Sequence, residues 1–357
     1  MPRRTEWIDY AKGIGIILVV YGHLLSSDYH AGVAIPKQFF LLSDSLVYSF
    51  HVPLFFFLAG LFTRRSLSRR SVGQFITDKA KLLLYPYLVW SFLQSLAELL
   101  FAGHSYRGVG LHDLLAIPYL PHAQFWFLYA LFWMYLAFVL FSLPVREGAA
   151  IVLVLLGAGL LFFDPIATEV MGLRGFSTGF LFFAVGVLAE NLVKDLEKLL
   201  VPMWASVLGL VVFLGAGLYI FEHRIAPVRL TDGSHPIYFL FLAWLGILFS
   251  VGFSQLLARR HWLRMILLLG RYSLPIYLAH MLAGVAARVI LWNVFRVRSP
   301  LLHMIVGMGT GLSAPVITYK IAQKMHFSWL FELKSPGTAI HSPRHHHTGP
   351  PAAPHVA

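Results

Sequence analysis

Long apolar runs constrain this chain more than any other feature of its sequence. Ten runs have spanning or near-spanning length, at about residues 8–25, 39–62, 82–102, 124–143, 149–163, 176–190, 201–221, 236–257, 273–292 and 301–321. A helix needs roughly 20 apolar residues to cross a hydrocarbon core of about 30 Å, so the fifth and sixth runs are short for a span. The pattern predicts an all-α, polytopic bundle of about ten transmembrane helices, within a range of nine to eleven, and residues 263–270 suggest an interfacial turn.

The composition agrees with residence in a bilayer. Only 12% of the residues are charged and 58% are hydrophobic, whereas about a quarter of the residues in an ordinary soluble domain are charged. Cysteine is absent, which excludes disulfides, thiolate nucleophiles and thiolate–zinc sites. The first apolar run lacks a small-residue cleavage site, and we expect a retained helix there instead of a signal peptide.

The distribution of basic residues predicts the orientation of the bundle. Alternate segments, counted from the N-terminus, hold 19 Lys and Arg residues, and the opposite segments hold seven. Cytoplasmic loops of membrane proteins carry such an excess. The net charge of +12 is therefore attributed to cytoplasmic loops, and no nucleic-acid partner is expected. Both termini are predicted to be cytoplasmic, which requires an even number of spans.

The chain is predicted to contain one transmembrane domain, residues 1–334, and a C-terminal tail, residues 335–357. The tail is rich in Pro and His and has no hydrophobic periodicity, which is typical of disordered segments. Weak metal binding by His345, His346 and His347 is the alternative to a merely solvated tail.

Ionisable residues in the first span are functional candidates, because charge inside a bilayer is costly. Asp9 and Lys12 stand three residues apart, so they can pair on one helix face. Lys12 and His23 stand eleven residues apart, which places them on one stripe with a rise of about 16 Å. Small residues that permit close approach of a neighbouring helix or a ligand are Gly13, Gly15 and Gly22.

Two further histidines are predicted at a similar depth. His51 lies about 20 Å and His280 about 14 Å along their helices from cytoplasmic arginines, and Pro53 and Pro275 lie close to them, where a kink can open backbone groups towards a cavity. Asp44 precedes His51 by seven residues, on nearly the same face, and is expected to orient it or to bind substrate from the outer side. A buried neutral imidazole can serve as a general base.

The three histidines are also compatible with roles other than that of a base. Any one of them can form an ordinary interhelical hydrogen bond, and three histidines can bind zinc. Zinc ligands usually need oriented carboxylate partners, so no metal is predicted. A transporter also carries midplane ionisable groups on interrupted helices and is the main alternative function. A non-catalytic sensor or assembly subunit is the third.

Four stretches of the chain resemble the signatures of one known family. The first, residues 7–23, contains a basic residue, ten intervening residues and a histidine, at Lys12 and His23. The others are Phe-His-Val-Pro-Leu-Phe-Phe-Phe-Leu-Ala-Gly at 50–60, Gln-Phe-Trp-Phe-Leu at 124–128 and Ser-Leu-Pro-Ile-Tyr-Leu-Ala-His at 273–280. In this order, they resemble acyltransferase family 3 of membrane O-acyltransferases, most closely its branch of fucose 4-O-acetylase-like and exopolysaccharide acetyltransferases.

The chain departs from that family's pattern in two places. Lys12 stands where the family commonly has Arg, so a planar bidentate group is replaced by a point charge. The family's cytoplasmic Arg-x-x-Arg motif is not literally present, and the basic residues that can replace it are Lys79, Lys81, Arg64, Arg65, Arg69 and Arg70. We expect no counterpart here of the extracytoplasmic hydrolase-like domain of some members.

The resemblance implies an O-acetyltransferase of the bacterial inner membrane. Its donor would be cytoplasmic acetyl-CoA, its acceptor a sugar hydroxyl of an extracytoplasmic or lipid-linked glycan, and its partners the lipid bilayer and polysaccharide assembly machinery. The phosphates of CoA favour basic side chains, which predicts a donor site at Lys79, Lys81, Arg64 and Arg65.

The resemblance and the positions of the ionisable residues together give a hypothesis for the chemical step. His23 would be the general base or a transient acyl carrier, on the stripe of Asp9 and Lys12. His51, His280 or a backbone amide would steady the developing oxyanion. Acceptor binding is assigned to Asp44 and Trp126.

Overall fold

The structure is a computed structural model, and it describes residues 6–100, 110–142, 148–163, 166, 168–190, 202–223 and 236–333. Thirteen α-helices and three short 3₁₀ segments occupy these ranges, which contain no β-strand. The predicted all-α fold is thus confirmed for the part of the chain that is described. The predicted disordered tail, with His345, His346 and His347, lies outside the described residues.

The helices follow one another in the order of the predicted spans. They are α1 Glu6–His30, α2 Lys37–Gly60, α3 Thr63–Leu67, α4 Val72–Leu100, α5 Leu111–Ala116, α6 Trp126–Ser142, α7 Ala149–Phe163, α8 Leu173–Ala189, α9 Met203–Glu222, α10 Pro236–Arg260, α11 Arg264–Arg271, α12 Ser273–Asn293 and α13 Pro300–Lys324. Each of the ten apolar runs of the sequence coincides with one of these helices.

Nine helical segments in the described ranges are long and apolar enough to cross a membrane. The tenth run forms α7, which has 15 residues and a length of about 22 Å. Gly157 of α7 lies directly against the backbone of Leu181 in α8. A span this short is accommodated by local thinning of the bilayer or by tilt of its neighbours.

Two elements differ from the sequence-based expectation. Helix α4 begins at Val72, ten residues before the apolar run, so Lys79 and Lys81 lie on a helix and not in a loop. Residues 264–271 form the helix α11, where a turn was expected. The apolar-run criterion detects membrane depth, and a helix whose first turns project beyond the apolar core is therefore underestimated.

Helix α1 is central to the bundle and contacts α2, α10, α11, α12 and α13. A side-chain carbon on Gly13 would collide with the backbone of Ile266 in α11. Gly15 faces Phe55 and Gly22 faces Tyr48, both of α2. The close approach predicted at these three glycines is therefore present, and it brings α2 and α11 against the stripe of Lys12 and His23.

The two prolines near histidines have different effects. Pro53 lies inside α2, where it removes one backbone hydrogen bond from the helix. Pro275 lies in the first turn of α12, which begins at Ser273. Backbone N–H groups in a first turn have no intrahelical partner in any case. Pro275 therefore removes no hydrogen bond from the helix, and the kink expected there is not required.

Candidate active site

A cavity of about 470 Å³ lies between α1, α2, α4, α6, the end of α11 and the start of α12. Lys12, Ile16, Val19 and His23 line it along α1, with the spacing of a single helix face. Lys12 and His23 therefore open into the same cavity, as the stripe predicts. The volume falls in the range of about 300–1,000 Å³ that is usual for small-molecule sites.

Some of the site residues predicted from the sequence line the cavity, and others do not. Five of them line it, namely Lys12, His23, His51, Lys79 and Trp126. The remaining six lie outside its lining, namely Asp9, Asp44, Arg64, Arg65, Lys81 and His280. Of these six, His280 and Asp9 each contact a residue that lines the cavity.

Three histidines converge at one end of the cavity, which we call the histidine end. The ring centroids of His23 and His280 lie 5.3 Å apart. Tyr48 lies beside both His23 and His51, with centroid distances of 6.0 and 4.8 Å. Its hydroxyl oxygen is 3.4 Å from Nδ1 of His23. Sequence reasoning missed Tyr48, although its position three residues before His51 was a usable signal.

Backbone carbonyls fix the protonated nitrogen of two of these rings. Nδ1 of His51 lies 2.6 Å from the carbonyl oxygen of Val47, and Nδ1 of His280 lies 2.8 Å from that of Tyr277. A carbonyl oxygen only accepts, so Nδ1 donates in both rings and Nε2 of the neutral ring is an acceptor. Nε2 of His280 is buried and has no hydrogen-bond partner among the described residues.

This geometry bears on the expected role of His51 and His280 in the chemical step, which stays a prediction. A neutral imidazole that donates through Nδ1 presents only a lone pair at Nε2. It cannot donate a hydrogen bond from that atom to a developing oxyanion. Both rings are instead suited to accept a proton or a hydrogen bond.

Asp44 is buried in α2 and lies outside the cavity lining. The backbone carbonyl of Val47, one turn before His51, holds the ring nitrogen that Asp44 was expected to orient. The helix backbone thus holds Nδ1 of His51. A role of Asp44 in orienting the rest of that ring or in binding substrate stays a prediction.

Three basic side chains lie at the opposite end of the cavity, which we call the cationic end: Lys12, Lys79 and Arg271. Nζ of Lys79 is 3.8 Å from the ring centroid of Tyr135 and 5.3 Å from that of Phe75. Such contacts stabilise an ammonium group away from bulk water.

Arg271 is a site residue that sequence reasoning used only as a marker of depth. Its Nε lies 3.5 Å from Oδ2 of Asp9, and the two side chains are 43% and 3% exposed. The buried carboxylate of Asp9 required a cationic partner, but the sequence suggested Lys12. Pairing of Asp9 with Lys12 stays a prediction, whereas the ion pair with Arg271 is present.

Arg64 and Arg65 serve a different contact. Their backbone N–H groups lie 3.0 and 2.9 Å from the carboxylate oxygens of Glu190, at the end of α8. Burial raises the pKa of the Glu190 carboxyl, although these two N–H groups and the arginine charges oppose the shift. The donor-site prediction for Arg64 and Arg65 therefore rests on side chains outside the cavity lining.

The cavity wall at the histidine end also includes Gln124, Trp126 and Tyr277. The hydroxyl of Tyr277 donates to the backbone carbonyl of Gln124. The ring of Trp126 packs over Gly175 of α8 in a space that a side chain would fill. Gln124 and Tyr277 were not selected from the sequence, although both lie in stretches that carry the family resemblance.

The zinc alternative can be compared with this geometry. Within the described ranges, no group of three or more His, Cys, Asp or Glu side chains is placed to hold a metal ion.

A family model described as "Acyltransferase domain" (family 3) matches residues 5–320. Nodulation protein NolL of Sinorhizobium fredii is 30% identical over 200 residues, which are 54% of this chain and 50% of that protein. Nodulation protein NolL of Mesorhizobium japonicum is 38% identical over 84 residues, or 23% of this chain and 21% of that protein.

The chain spans half the length or less of these curated relatives. No solved structure matches it.

Proposed function

We propose that this chain, which belongs to the acyltransferase family whose model matches residues 5–320, is a multi-pass membrane enzyme that moves an acetyl group from acetyl-CoA to a sugar hydroxyl of a surface or lipid-linked glycan. One observation carries the proposal. A single cavity has three cations at one end and His23, with His280 and Tyr48 beside it, at the other. One end of the cavity can thus bind the donor phosphates, and the other end can accept the proton of the acceptor hydroxyl.

The cationic end suits the donor. Acetyl-CoA carries phosphates, which form strong charge-assisted contacts with Arg and Lys side chains. We place them at Arg271, Lys79 and Lys12, with the pantetheine arm along Ile16 and Val19. The rise from Lys12 to His23 is about 16 Å. Lys81, Arg64 and Arg65 lie outside the cavity lining, so they can reach only the parts of the nucleotide that project from it.

The chemical step uses His23 as general base. With its proton on Nδ1 donated to the Tyr48 oxygen, Nε2 of His23 takes the proton of the acceptor hydroxyl. The acceptor oxygen attacks the thioester carbonyl carbon, the carbon–sulfur bond breaks, and the CoA thiolate receives the proton from the imidazolium. The Tyr48 O–H donates to the oxyanion. Transient acetylation of His23 is the two-step form of the same reaction.

His280 gives the base a neighbour with the same chemistry. Its Nε2 is a buried acceptor, and its ring adjoins that of His23. Nε2 of His280 can accept a hydrogen bond from a second hydroxyl of the acceptor, while Nε2 of His23 deprotonates the hydroxyl that reacts. Loss of His280 should therefore impair the reaction less than loss of His23.

The acceptor class rests on the family branch that the sequence resembles. The relatives are bacterial proteins named for nodulation, and we extend to this chain a role in modifying a bacterial surface glycan. The inner membrane and contact with polysaccharide assembly machinery are parts of the same proposal.

A strain that lacks the gene tests the proposal when it is complemented with variants. We expect O-acetyl groups of the surface glycans to disappear on deletion and to return with the wild-type gene. His23→Ala should lower the transfer rate by about 10²–10⁴-fold, the usual contribution of a general base. Tyr48→Phe should lower it by about 10²–10³-fold, as loss of one oxyanion donor does.

Tyr21→Phe is the matched control, because Tyr21 lies on α1 two residues before His23 and does not line the cavity. Full O-acetylation by the His23→Ala variant would refute the mechanism. Solute flux through proteoliposomes in the absence of acetyl-CoA would favour the transporter instead.

A further inference from the structure

Four polar side chains form a continuous column between the cavity wall and the end of the bundle opposite Lys12 and Arg271. We call Gln124, Gln94, Glu98 and His122 the polar column. Nε2 of Gln124 lies 2.8 Å from Oε1 of Gln94, and Nε2 of Gln94 lies 3.0 Å from Oε1 of Glu98. Nε2 of His122 lies 3.3 Å from Oε2 of Glu98. None of these four residues takes part in the mechanism above.

The inner end of the column is deeply buried. Gln94 and Gln124 are 2% and 4% exposed, and each amide nitrogen lies within 3.5 Å of the other's oxygen. Burial of two amides in an apolar bundle is unfavourable unless they are paired, and two leucines would fill the same positions without that requirement. Gln124 also lines the cavity, so one end of this pair is available to a ligand.

The backbone around Gln124 is held in an unusual conformation. Ala123, immediately before it, has a φ of 47°, in the left-handed region that residues with a side chain seldom adopt. Tyr277 donates a hydrogen bond to the Gln124 carbonyl. Such conformations persist where the surrounding structure enforces them, and they are common at ligand sites. The side chain of Gln124 is thus presented to the cavity by a rigid segment.

The segment that carries Gln124 is fixed to the bundle at several points. Tyr129 donates to the carbonyl of Pro118 at 2.7 Å, and Tyr87 donates to the carbonyl of Ile117. The segment 110–125 is therefore hydrogen-bonded to α4 and α6, and its last residues reach the cavity wall. At the other end of the column, the side chains of His122 and Glu98 remain 13% and 21% exposed.

We propose that the polar column is the subsite for the acceptor, and that it binds the hydroxyl groups of a polyhydroxylated substrate as it approaches His23. The inference rests on the proposed function and specifies where that substrate binds. A hydroxyl group both donates and accepts, so it can replace either bond of the Gln94–Gln124 pair without leaving a buried group unpaired. Gln124 then contacts the sugar nearest the histidine end, and Glu98 and His122 contact a sugar further out.

Kinetics of the purified protein in lipid nanodiscs test this subsite. The probes are radiolabelled acetyl-CoA and the surface polysaccharide of the deletion strain, de-O-acetylated with alkali. We expect Gln124→Leu and Glu98→Gln to raise the KM for polysaccharide at least tenfold. The Kd of acetyl-CoA should stay within twofold, because the column lies at the other end of the cavity.

Gln255→Leu is the matched control, since Gln255 is a glutamine of α10 that is also buried, 3% exposed, and does not line the cavity. Its two constants should equal those of the wild type. If Gln124→Leu fails to fold, Glu98→Gln and His122→Asn at the more exposed end decide the question.

The outcomes separate this inference from the function on which it rests. An unchanged KM for polysaccharide in folded column variants overturns the subsite and leaves the acetyltransferase intact. A lower melting temperature with unchanged kinetic constants assigns the column a structural role and also overturns the subsite. Absence of transfer by the wild-type protein overturns the proposed function itself.

Discussion

At the scale of single residues, the ion pair of Asp9 and Arg271 joins the fold to the proposed donor site. The Asp9 carboxylate is almost fully buried, whereas the Arg271 side chain is 43% exposed and lines the cavity. Asp9 thus lies at ion-pair distance from the guanidinium, and the exposed part of Arg271 remains open to an anion. A planar guanidinium binds phosphate oxygens in pairs.

Replacement of this arginine should weaken donor binding. We expect Arg271→Gln to raise the Kd of acetyl-CoA by about ten- to hundredfold, because a hydrogen bond to a charged group contributes about 1.5–3 kcal/mol. Arg271→Lys should recover part of the loss, since it restores charge but not the bidentate geometry. Calorimetry on the protein in nanodiscs measures both constants.

Arg264→Gln is the control for this prediction, because Arg264 begins the same helix and does not line the cavity. Equal affinities of the Arg271→Gln variant and the wild type would remove Arg271 from the donor site. The melting temperature of each variant shows whether the loss of the partner of Asp9 has unfolded the bundle.

Single residues also show how far the sequence predicts the site. Lys12 and His23 share the cavity because one helix carries both, and helix periodicity is readable from sequence. The Nδ1 contacts of His51 and His280 reach carbonyls four residues earlier or less, so they too are local. The contacts of Asp9 with Arg271 and of Gln94 with Gln124 join residues 262 and 30 positions apart, and only the tertiary fold determines them.

At the scale of elements, the contact of α1 with α11 positions Arg271. Gly270 lies against the backbone carbonyl of Asp9, and Gly13 lies against that of Ile266. Two helices approach this closely only where neither has a side chain in the way. The packing of the short helix α11 on α1 therefore fixes the position of Arg271 along the cavity wall.

A methyl group in this contact should push α11 away from α1. We expect Gly270→Ala to destabilise the protein by about 1–3 kcal/mol, the usual effect of overpacking a tight contact, and to weaken acetyl-CoA binding because Arg271 moves with α11. Thermal unfolding followed by size-exclusion chromatography measures the first effect, and calorimetry the second.

Gly309→Ala in α13 serves as the comparison, because a side-chain carbon there meets nothing within 4 Å and alanine favours a helix interior. It should be neutral or slightly stabilising. If both variants melt at the same temperature, the α1–α11 contact does not have the tightness that its geometry implies.

Hydropathy predicts helices well where helix and membrane end together. The bounds of α10 and α12 agree with their apolar runs to within three residues. Helix α4 has 29 residues, or about 43 Å, and exceeds the hydrocarbon core. Its first ten residues include Asp78, Lys79 and Lys81, and their charge hides the helix from any method that counts apolar residues.

At the scale of the whole molecule, the site itself constrains the number of spans. Asp9 meets Arg271 at one end of the cavity, and His23 meets His280 at the other, so α1 and α12 run parallel. Helices α2, α4, α6, α8, α9 and α10 intervene, as does the short α7. Two parallel spans must be separated by an odd number of crossings, and the six long helices that the described ranges place between them would make them antiparallel. Helix α7 must therefore also cross the membrane, which raises the number of intervening crossings to seven.

The absence of cysteine allows this conclusion, and the predicted orientation, to be tested with single introduced cysteines. Ala34, between α1 and α2, and Thr168, between α7 and α8, are exposed, as is Ser68, between α3 and α4. With α7 crossing and the N-terminus cytoplasmic, Ala34→Cys and Thr168→Cys should react with an impermeant maleimide on spheroplasts. Ser68→Cys should react only after permeabilisation.

Each other labelling pattern has a distinct meaning. Protection of Thr168→Cys alone would mean that α7 does not cross, which contradicts the parallel pairing of α1 with α12. Labelling of Ser68→Cys on intact spheroplasts would show that the bundle has the opposite orientation, with the cationic end of the cavity outside the cell. Acetyl-CoA, a cytoplasmic donor, would then have no access to Lys12, Lys79 and Arg271. The excess of Lys and Arg in alternate segments would also lack its topological basis.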